Sequence, residues 1–348
     1  MTAQTVQSPG RLVWRRLVKN KGAVASMLML AVMIILAVAA PLVAPFDPKI
    51  QVLEYRVKPV GFSGMVLKKY NKAHPETPTL VAVSEVRLDG DSLYYTDPMG
   101  ASYAIERAAV ANAQADETGS KVTYWLGTDA LGRDLLSRLL YGMRVSLSVG
   151  LVSVSIALVI GIVLGALAGF FRGWVDDVIM WLVNVVWSFP TILLVIAFSV
   201  LLGKGYWQTF VAIGISSWVD IARIVRVQFF SIREQEFVEA TRALGFGAIR
   251  TMFRHMLPNA LGPVIVLSSA GFATAILAEA SLSFIGLGVQ PPTPSWGQMI
   301  KDGYGYIAFG SNWTIAIFPC LAMGITVLAI NVFGDGLRDA FDPKTSQR

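Results

Sequence analysis

The stretch VSLSVGLVSVSIALVIGIVLGALAGFF, residues 145–171, contains no charged side chain. A helix needs roughly 20 mostly apolar residues to cross the hydrocarbon core of a bilayer, and this run is longer than that. Because a charged side chain is costly to place in hydrocarbon, a run of this length without one predicts a membrane-spanning helix. The sequence therefore indicates an integral membrane protein.

Other apolar runs extend this prediction along the chain. Residues 22–46, 178–203 and 303–334 are also free of charge, and residues 256–278 lie between His255 and Glu279. Residues 205–227 form a weaker candidate because Asp220, Arg223 and Arg226 fall in its second half, and a buried or interfacial helix is the alternative there. Only 15% of residues are charged, against about 25% in soluble domains. We predict an all-α polytopic membrane protein with six transmembrane helices.

The distribution of basic residues predicts the topology. Residues 1–22 hold Arg11, Arg15, Arg16, Lys19 and Lys21 and no acidic residue, so the positive-inside rule places this end in the cytoplasm. Six crossings return the C-terminus to the cytoplasm and put the arginine-rich segment 223–254 there as well. A cleavable signal peptide ending near residues 37–40 is the alternative for the first segment. The net charge of +6 follows from basic residues beside apolar runs, which favours a bacterial cytoplasmic membrane over nucleic acid as the partner.

The chain divides into three parts in this interpretation. Residues 1–46 form the N-terminal cytoplasmic segment and the first crossing, residues 47–125 an extracytoplasmic insertion, and residues 126–343 the remaining transmembrane domain. In the insertion, Asp89-Gly90 between apolar runs predicts a β-hairpin, and the alanine-rich residues 101–117 predict a short helix. The insertion is therefore a small α+β domain between the first two crossings, with an extended loop as the alternative.

Residues 126–142 have helical apolar spacing and predict an amphipathic helix at the outer interface. In that helix Asp129 would cap the start, and Asp134 and Arg138 would form an i, i+4 ion pair. A second amphipathic region, residues 236–256, predicts two short cytoplasmic helices joined at Gly245–Gly247. They would either dock on a soluble partner or lie flat on lipid.

The second region resembles the coupling motif of ABC-importer permeases. That motif is Glu-Ala-Ala, three residues, Gly, nine residues, Ile, any residue, Leu-Pro. Its positions are occupied in this chain by Glu239, Ala240, Thr241, Gly245, His255, Leu257 and Pro258. Two of them depart from the motif, since Thr241 replaces the second Ala and His255 replaces the Ile. Residues 127–134 and the ending at 335–343 are similar to the C-type subunit of dipeptide and oligopeptide transporters, the partner of a B-type permease.

The resemblance implies a transport subunit that forms half of a translocation path for peptides or similar small solutes. It implies as partners a homologous B-type permease, two cytoplasmic ATPase subunits, an extracytoplasmic solute-binding protein and membrane lipid. The chain has no phosphate-binding loop of its own, so no cofactor is expected and ATP would be bound by the partners. No enzyme constellation and no metal cluster stand out in the sequence.

The alternative function is a secondary transporter or channel that works alone. Such proteins commonly keep ionisable residues inside their spans, whereas these spans are nearly free of them. Asn184, Ser188 and Pro190 are the main polar or helix-breaking residues within an apolar run, and we consider them candidates for the translocation path.

Overall fold

The computed structural model describes residues 9–71, 74–106, 109–110, 119–308 and 312–341. These residues form two compact units. The helical unit comprises residues 9–35, 146–290 and 323–341, and the strand-bearing unit comprises the described parts of residues 36–145 and 291–322.

Helices dominate the described part of the chain. In chain order they are α1 (Pro9–Lys19), α2 (Lys21–Val43), α3 (Leu135–Phe171), α4 (Gly173–Trp187), α5 (Thr191–Leu202), α6 (Tyr206–Ser216), α7 (Trp218–Arg233), α8 (Glu236–Ala243), α9 (Ala248–Arg250), α10 (Leu257–Phe284), α11 (Trp296–Ala308) and α12 (Thr314–Phe341). A π-helical segment, Thr251–Met256, joins α9 to α10 without a break.

Among the described residues, four helical segments are long and apolar enough to cross a membrane. They are α2, α3, the continuous segment Ala248–Phe284 and α12. The pair α4 and α5, which meets at an angle of 90°, raises the number to five if it counts as one broken span. Residues 205–227 form α6 and part of α7, which fail this test, so the predicted count of six is not confirmed.

Glycines on α3 set the packing of the helical unit. Gly161, Gly165 and Gly169 recur every four residues, and an added Cβ at each would lie less than 3 Å from atoms of α7. This small-residue pattern lets two helix backbones approach closely, which is how helices associate where no hydrophobic effect drives them together. Val225 and Phe229 of α7 are fully buried in the resulting core. The contact fixes α7, and with it the helices that follow.

Strands fill the insertion. The first sheet has the order β2-β1-β6, from β1 (Phe62–Asn71), β2 (His74–Val83) and β6 (Ser120–Tyr124). The second has the order β3-β4-β5, from β3 (Glu85–Asp89), β4 (Ser92–Thr96) and β5 (Ser102–Glu106). Both are antiparallel throughout.

The hairpin prediction is confirmed, and the helix prediction for the insertion is wrong where it can be tested. Asp89 pairs with Ser92 across the turn at Gly90, whose φ of 59° suits glycine. Within the predicted helix 101–117, residues 102–106 are strand β5, because pairing with β4 overrides the helix preference of alanine. Residues 107–108 and 111–117 lie outside the described residues.

The predicted separate interfacial helix at 126–142 is wrong for residues 126–134, whereas residues 135–142 are helical as the first turns of α3. Residues 126–134 form turns, and α3 begins only at Leu135. The turns require glycine: Gly132 has a φ of 71°, and an added Cβ would lie 1.8 Å from the carbonyl oxygen of Val52. The capping residue is Asp134 rather than Asp129, since its carboxylate accepts a hydrogen bond from the Ser137 backbone N–H at 2.7 Å.

Candidate coupling and translocation sites

Helix α8 has one face fixed within the helical unit. Val238 and Thr241 are buried on this face. The Thr241 hydroxyl donates to the Val238 carbonyl at 2.7 Å and accepts a hydrogen bond from the Thr251 hydroxyl at 3.5 Å. Thr241, the first departure from the family motif, is therefore a packing residue whose hydroxyl is satisfied locally.

Gly245 ends α8 in a Schellman motif. Its φ is 74°, in the left-handed region that favours glycine. The Phe246 N–H donates to the Thr241 carbonyl at 3.0 Å, and the Gly245 N–H donates to the Arg242 carbonyl at 2.9 Å. The glycine of the motif is thus explained by backbone conformation: an added Cβ would meet no atom within 4 Å.

The second predicted coupling helix is not a separate short helix. Ala248–Arg250 and the π-helical segment run on into α10, forming one helical segment from Ala248 to Phe284. Pro258 lies in the first turn of α10, directly after the π turn, and the preceding Leu257 is half-buried against the core of the helical unit. A movement of this segment would therefore be transmitted along α10.

His255, the second departure from the family motif, packs on an aromatic ring. Its imidazole stacks on Phe246 with centroids 5.6 Å apart and planes at 18°. The guanidinium of Arg250 lies 4.0 Å from the centroid of the same ring, within cation–π range. These contacts hold the Gly245–Gly247 turn against the start of α10.

The opposite face of this region is exposed. Glu239 and Ala240 lie on it with Phe237, while Leu244 is 71% and Ile249 73% exposed. Exposed charged side chains of both signs surround these apolar residues, namely Glu236, Glu239, Arg242, Arg250 and Arg254. An apolar surface with a polar rim is typical of an interaction site. Of the residues at motif positions, some are exposed (Glu239, Ala240, Gly245 and Pro258), others are half-buried (His255 and Leu257), and Thr241 is buried.

Asn184, Ser188 and Pro190 lie at the break between α4 and α5. Asn184 is exposed near the end of α4, the Ser188 hydroxyl donates to the Val185 carbonyl at 2.7 Å, and Pro190 precedes α5 as its N-cap residue. The 90° bend places a helix break inside an apolar run, as the proline predicted. A cavity beside the break is lined by their neighbours Trp187, Phe189 and Thr191.

A buried charged cluster in the strand-bearing unit was missed by sequence reasoning. The carboxylate of Asp129 accepts hydrogen bonds from the N–H groups of Leu131 and Arg133 at 2.8 and 3.0 Å, and from Arg133 Nε at 2.7 Å. Arg138 Nε lies 3.2 Å from the same carboxylate, so Arg138 pairs with Asp129 rather than with Asp134 as predicted.

Asp302 of α11 completes this cluster. One oxygen of its carboxylate lies 3.5 Å from Arg133 Nη2 and 3.7 Å from Arg138 Nη2, and the other accepts from Gln298 Nε2 at 2.8 Å. Burial raises the pKa of Asp302, although Arg138 opposes that rise. The i, i+4 spacing of Asp129 and Arg133 was visible in the sequence, but the pairing with α11 was not.

Comparison with known proteins identifies the family. Residues 161–347, more than half of the chain, match the family model described as binding-protein-dependent transport system inner membrane component. The chain belongs to this family. Residues 8–59 also match the model for the N-terminal TM domain of oligopeptide transport permease C.

Individual relatives agree with this assignment. A di/tripeptide transport system permease protein DppC of Pseudomonas aeruginosa is 36% identical over 337 residues, which cover 97% of this chain and 93% of the relative. A glutathione transport system permease protein GsiD of Pectobacterium atrosepticum is 42% identical over 226 residues, 65% of this chain and 74% of the relative. The oligopeptide transport system permease protein OppC of Bacillus subtilis is 39% identical over 71% of this chain and 79% of the relative.

A solved structure shares the fold. An inward-facing structure of the MetNI methionine ABC transporter matches with a TM-score of 0.50 and 23% identity, over 60% of this chain and 98% of that chain. This protein is a permease subunit of an ABC importer and a multi-pass inner membrane protein. Members of its family are permease subunits rather than enzymes and work with other transporter subunits, so the alternative of a transporter that works alone is not supported.

Proposed function

We propose that this permease is the C-type half of a bacterial importer for peptides or similar small solutes. Its partners in this proposal are a homologous B-type permease, two cytoplasmic ATPase subunits and an extracytoplasmic solute-binding protein. The likeness to permeases named for di/tripeptide and oligopeptide transport supports a peptide cargo. Six crossings would put both termini in the cytoplasm and the β-rich insertion outside, in agreement with the basic residues of segments 9–21 and 223–254.

The observation that carries the coupling mechanism is the division of α8 into two faces. The buried face, with Val238 and Thr241, connects α8 to the segment that continues as α10. The exposed face presents Glu239 and Arg242 beside Phe237 and Leu244. A groove in an ATPase would match the apolar side chains and both charges, whereas an anionic lipid leaflet would not favour Glu239. A push on the exposed face would therefore move α10 and change access to the pore.

Charge reversal at Glu239 tests this coupling site. In the reconstituted complex, Glu239→Lys should leave membrane insertion and pairing of the two permeases intact. Loss of a central interface contact typically costs about 1–4 kcal/mol, and reversal should fall at the upper end. We expect weaker co-purification of the ATPases and loss of the ATP hydrolysis that the binding protein stimulates.

Asp91→Lys provides the matched control, because Asp91 is also exposed but lies in the β-hairpin of the insertion. This variant should hydrolyse ATP and transport as the unmodified complex does. A Glu239→Lys complex that retains its ATPases and transports normally would show that the coupling site lies elsewhere.

A further inference from the structure

One cavity of the helical unit lies where two helix breaks meet. It has a volume of about 240 Å³. Its lining includes Trp187 at the end of α4 and Phe189 at the break that follows, together with Ser217 at the break between α6 and α7 and Asp220 in the first turn of α7. Residues of α3 and α10 line the rest. Complete ligand pockets are larger, about 300–1,000 Å³, as expected if this permease forms only part of the path.

The hydroxyl groups around this cavity donate hydrogen bonds to the backbone. Five of them donate to a carbonyl oxygen at 2.7–3.0 Å, namely those of Ser153, Ser216, Ser217, Ser268 and Thr274. A hydroxyl has one proton and two lone pairs, so each of these groups has only acceptor capacity left for a ligand. The cavity wall therefore offers hydrogen-bond acceptors to whatever enters it.

Asp220 adds a negative charge to these acceptors. It is exposed, lines the cavity, and forms no ion pair or side-chain hydrogen bond with any residue that the structure describes. Of the nearby basic residues of α7, Arg226 pairs with Asp176, and the guanidinium of Arg223 lies 4.2 Å from the ring centroid of Trp187, which itself lines the cavity. The carboxylate is thus available to a cationic ligand.

The position of the cavity along α3 is a second indication that this carboxylate has a function. Ser153 lies midway between Leu135 and Phe171, the ends of α3, so about 27 Å of helix extend on either side of it. The cavity therefore lies beside the membrane-spanning part of α3. An ionisable side chain beside a membrane span is costly and is usually kept for a function such as binding a substrate or an ion.

We infer that this cavity binds the ammonium group of the transported solute, with Asp220 as its counter-charge and the hydroxyl oxygens as its hydrogen-bond acceptors. An ammonium group has three donors and no acceptor, which is complementary to such a wall. Every peptide with a free amino terminus carries this group, whatever its side chains. The inference rests on the proposed function and assigns the part of the solute that this permease recognises.

Transport by the reconstituted complex gives the first test. Uptake of trialanine and ATP hydrolysis are measured together, with the binding protein present, for Asp220→Asn, Asp220→Glu and the control Asp177→Asn. Asp177 is an exposed acid of α4 that does not line the cavity. For Asp220→Asn we expect uptake per ATP hydrolysed to fall at least about tenfold, since hydrogen bonds to charged groups are the stronger ones. Asp220→Glu should recover part of the uptake, and Asp177→Asn should behave as the unmodified complex.

A labelling experiment tests the ammonium group directly. In a Cys320→Ser background, Ser217→Cys introduces a reactive thiol into the cavity wall of the complex. Trialanine should slow its alkylation, whereas N-acetyl-trialanine, which lacks the ammonium group, should not. The protection should disappear when Asp220→Asn is added.

The outcomes separate the two proposals. If the unmodified complex shows no ATP-driven uptake that depends on the binding protein, the proposed function fails. If it transports but Asp220→Asn transports equally well, or if both peptides protect the thiol, only the present inference fails. Two results with Asp220→Asn would assign Asp220 a structural role instead. One is loss of the second permease on purification, which would indicate an ion pair between subunits. The other is an equal fall in ATP hydrolysis and uptake.

Discussion

Two motifs carry the family resemblance, and the structure uses their charged residues in opposite ways. In the motif at 239–258, Glu239 is exposed beside apolar side chains that are also exposed. In the motif at 127–134, Asp129 and, just beyond it, Arg138 are each only 2% exposed and lie within 3.2 Å of each other. Both motifs contain glycine at positive φ, but Gly127 and Gly132 lie against another part of the backbone and Gly245 does not.

The contrast separates a surface for partners from an internal element of the fold. An acidic residue that is exposed and unopposed contributes little to stability, so its presence in the first motif suits recognition. A buried carboxylate that accepts four hydrogen bonds or ion pairs cannot contact a partner, but its loss leaves buried arginines without a counter-charge. A motif in the sequence therefore indicates residues that matter, and their burial shows whether they serve partner recognition or the stability of the fold.

The largest expected effect is a difference in thiol labelling between the two regions, because they lie on opposite sides of the membrane. In a Cys320→Ser background, Asp91→Cys should react with an impermeant thiol reagent in intact cells, and Leu244→Cys should not. Leu244 is 71% exposed, so it should react once the membrane is permeabilised in cells that lack the ATPase subunits. Labelling of Leu244→Cys from outside would overturn the topology and the assignment of α8 as the ATPase dock.

A smaller but still large effect is expected on stability. Asp129→Ala removes the shared partner of Arg133 and Arg138 and should destabilise the strand-bearing unit by about 3–5 kcal/mol. Scanning fluorimetry of the purified chain in detergent should show a melting temperature lowered by several degrees. Glu239→Ala, an exposed acid in the other motif, is the control and should melt with the unmodified protein. Equal melting of all three proteins would mean that the buried cluster contributes no stability.

The smallest effect concerns Asp134, which caps α3 with one carboxylate oxygen while the other has no partner among the described residues. Burial raises the pKa of Asp134. The folded state therefore holds a proton that the unfolded state has released, and stability falls as pH rises from about 3.9 through the raised pKa. Asp134→Asn keeps a good capping residue without the buried charge, so it should gain of the order of 1 kcal/mol over the unmodified chain above that window.

Melting curves at several pH values check this prediction. The difference between Asp134→Asn and the unmodified chain should grow as pH rises and then level off. Asp91→Asn, which removes an exposed carboxylate, should show no such trend. A difference that is constant with pH would mean that the Asp134 carboxylate is not perturbed by its burial.

The sequence by itself determined the membrane class, the family and two of the places where helices break. Each of these depends on local properties: apolar length for α2, α3 and α12, proline at the α4–α5 break, and the glycine that ends α8. Spacing at 3.6 residues per turn also indicated α8, because helical periodicity is a property of neighbouring residues. The hairpin at Asp89-Gly90 was predictable for the same reason.

Only the tertiary structure decided which face of each element is buried against other elements. At helical spacing Thr241 shares a face with Phe237 and Leu244, yet Thr241 is buried in contact with Thr251 while the other two are exposed. Pairing with β4 turned residues 102–106 into a strand, and tight packing against Val52 turned residues 126–134 into loops instead of a helix. The acceptor-lined cavity and the cluster of Asp129, Arg138 and Asp302 join residues far apart in the chain, and long-range contacts of this kind depend on packing that no local pattern encodes.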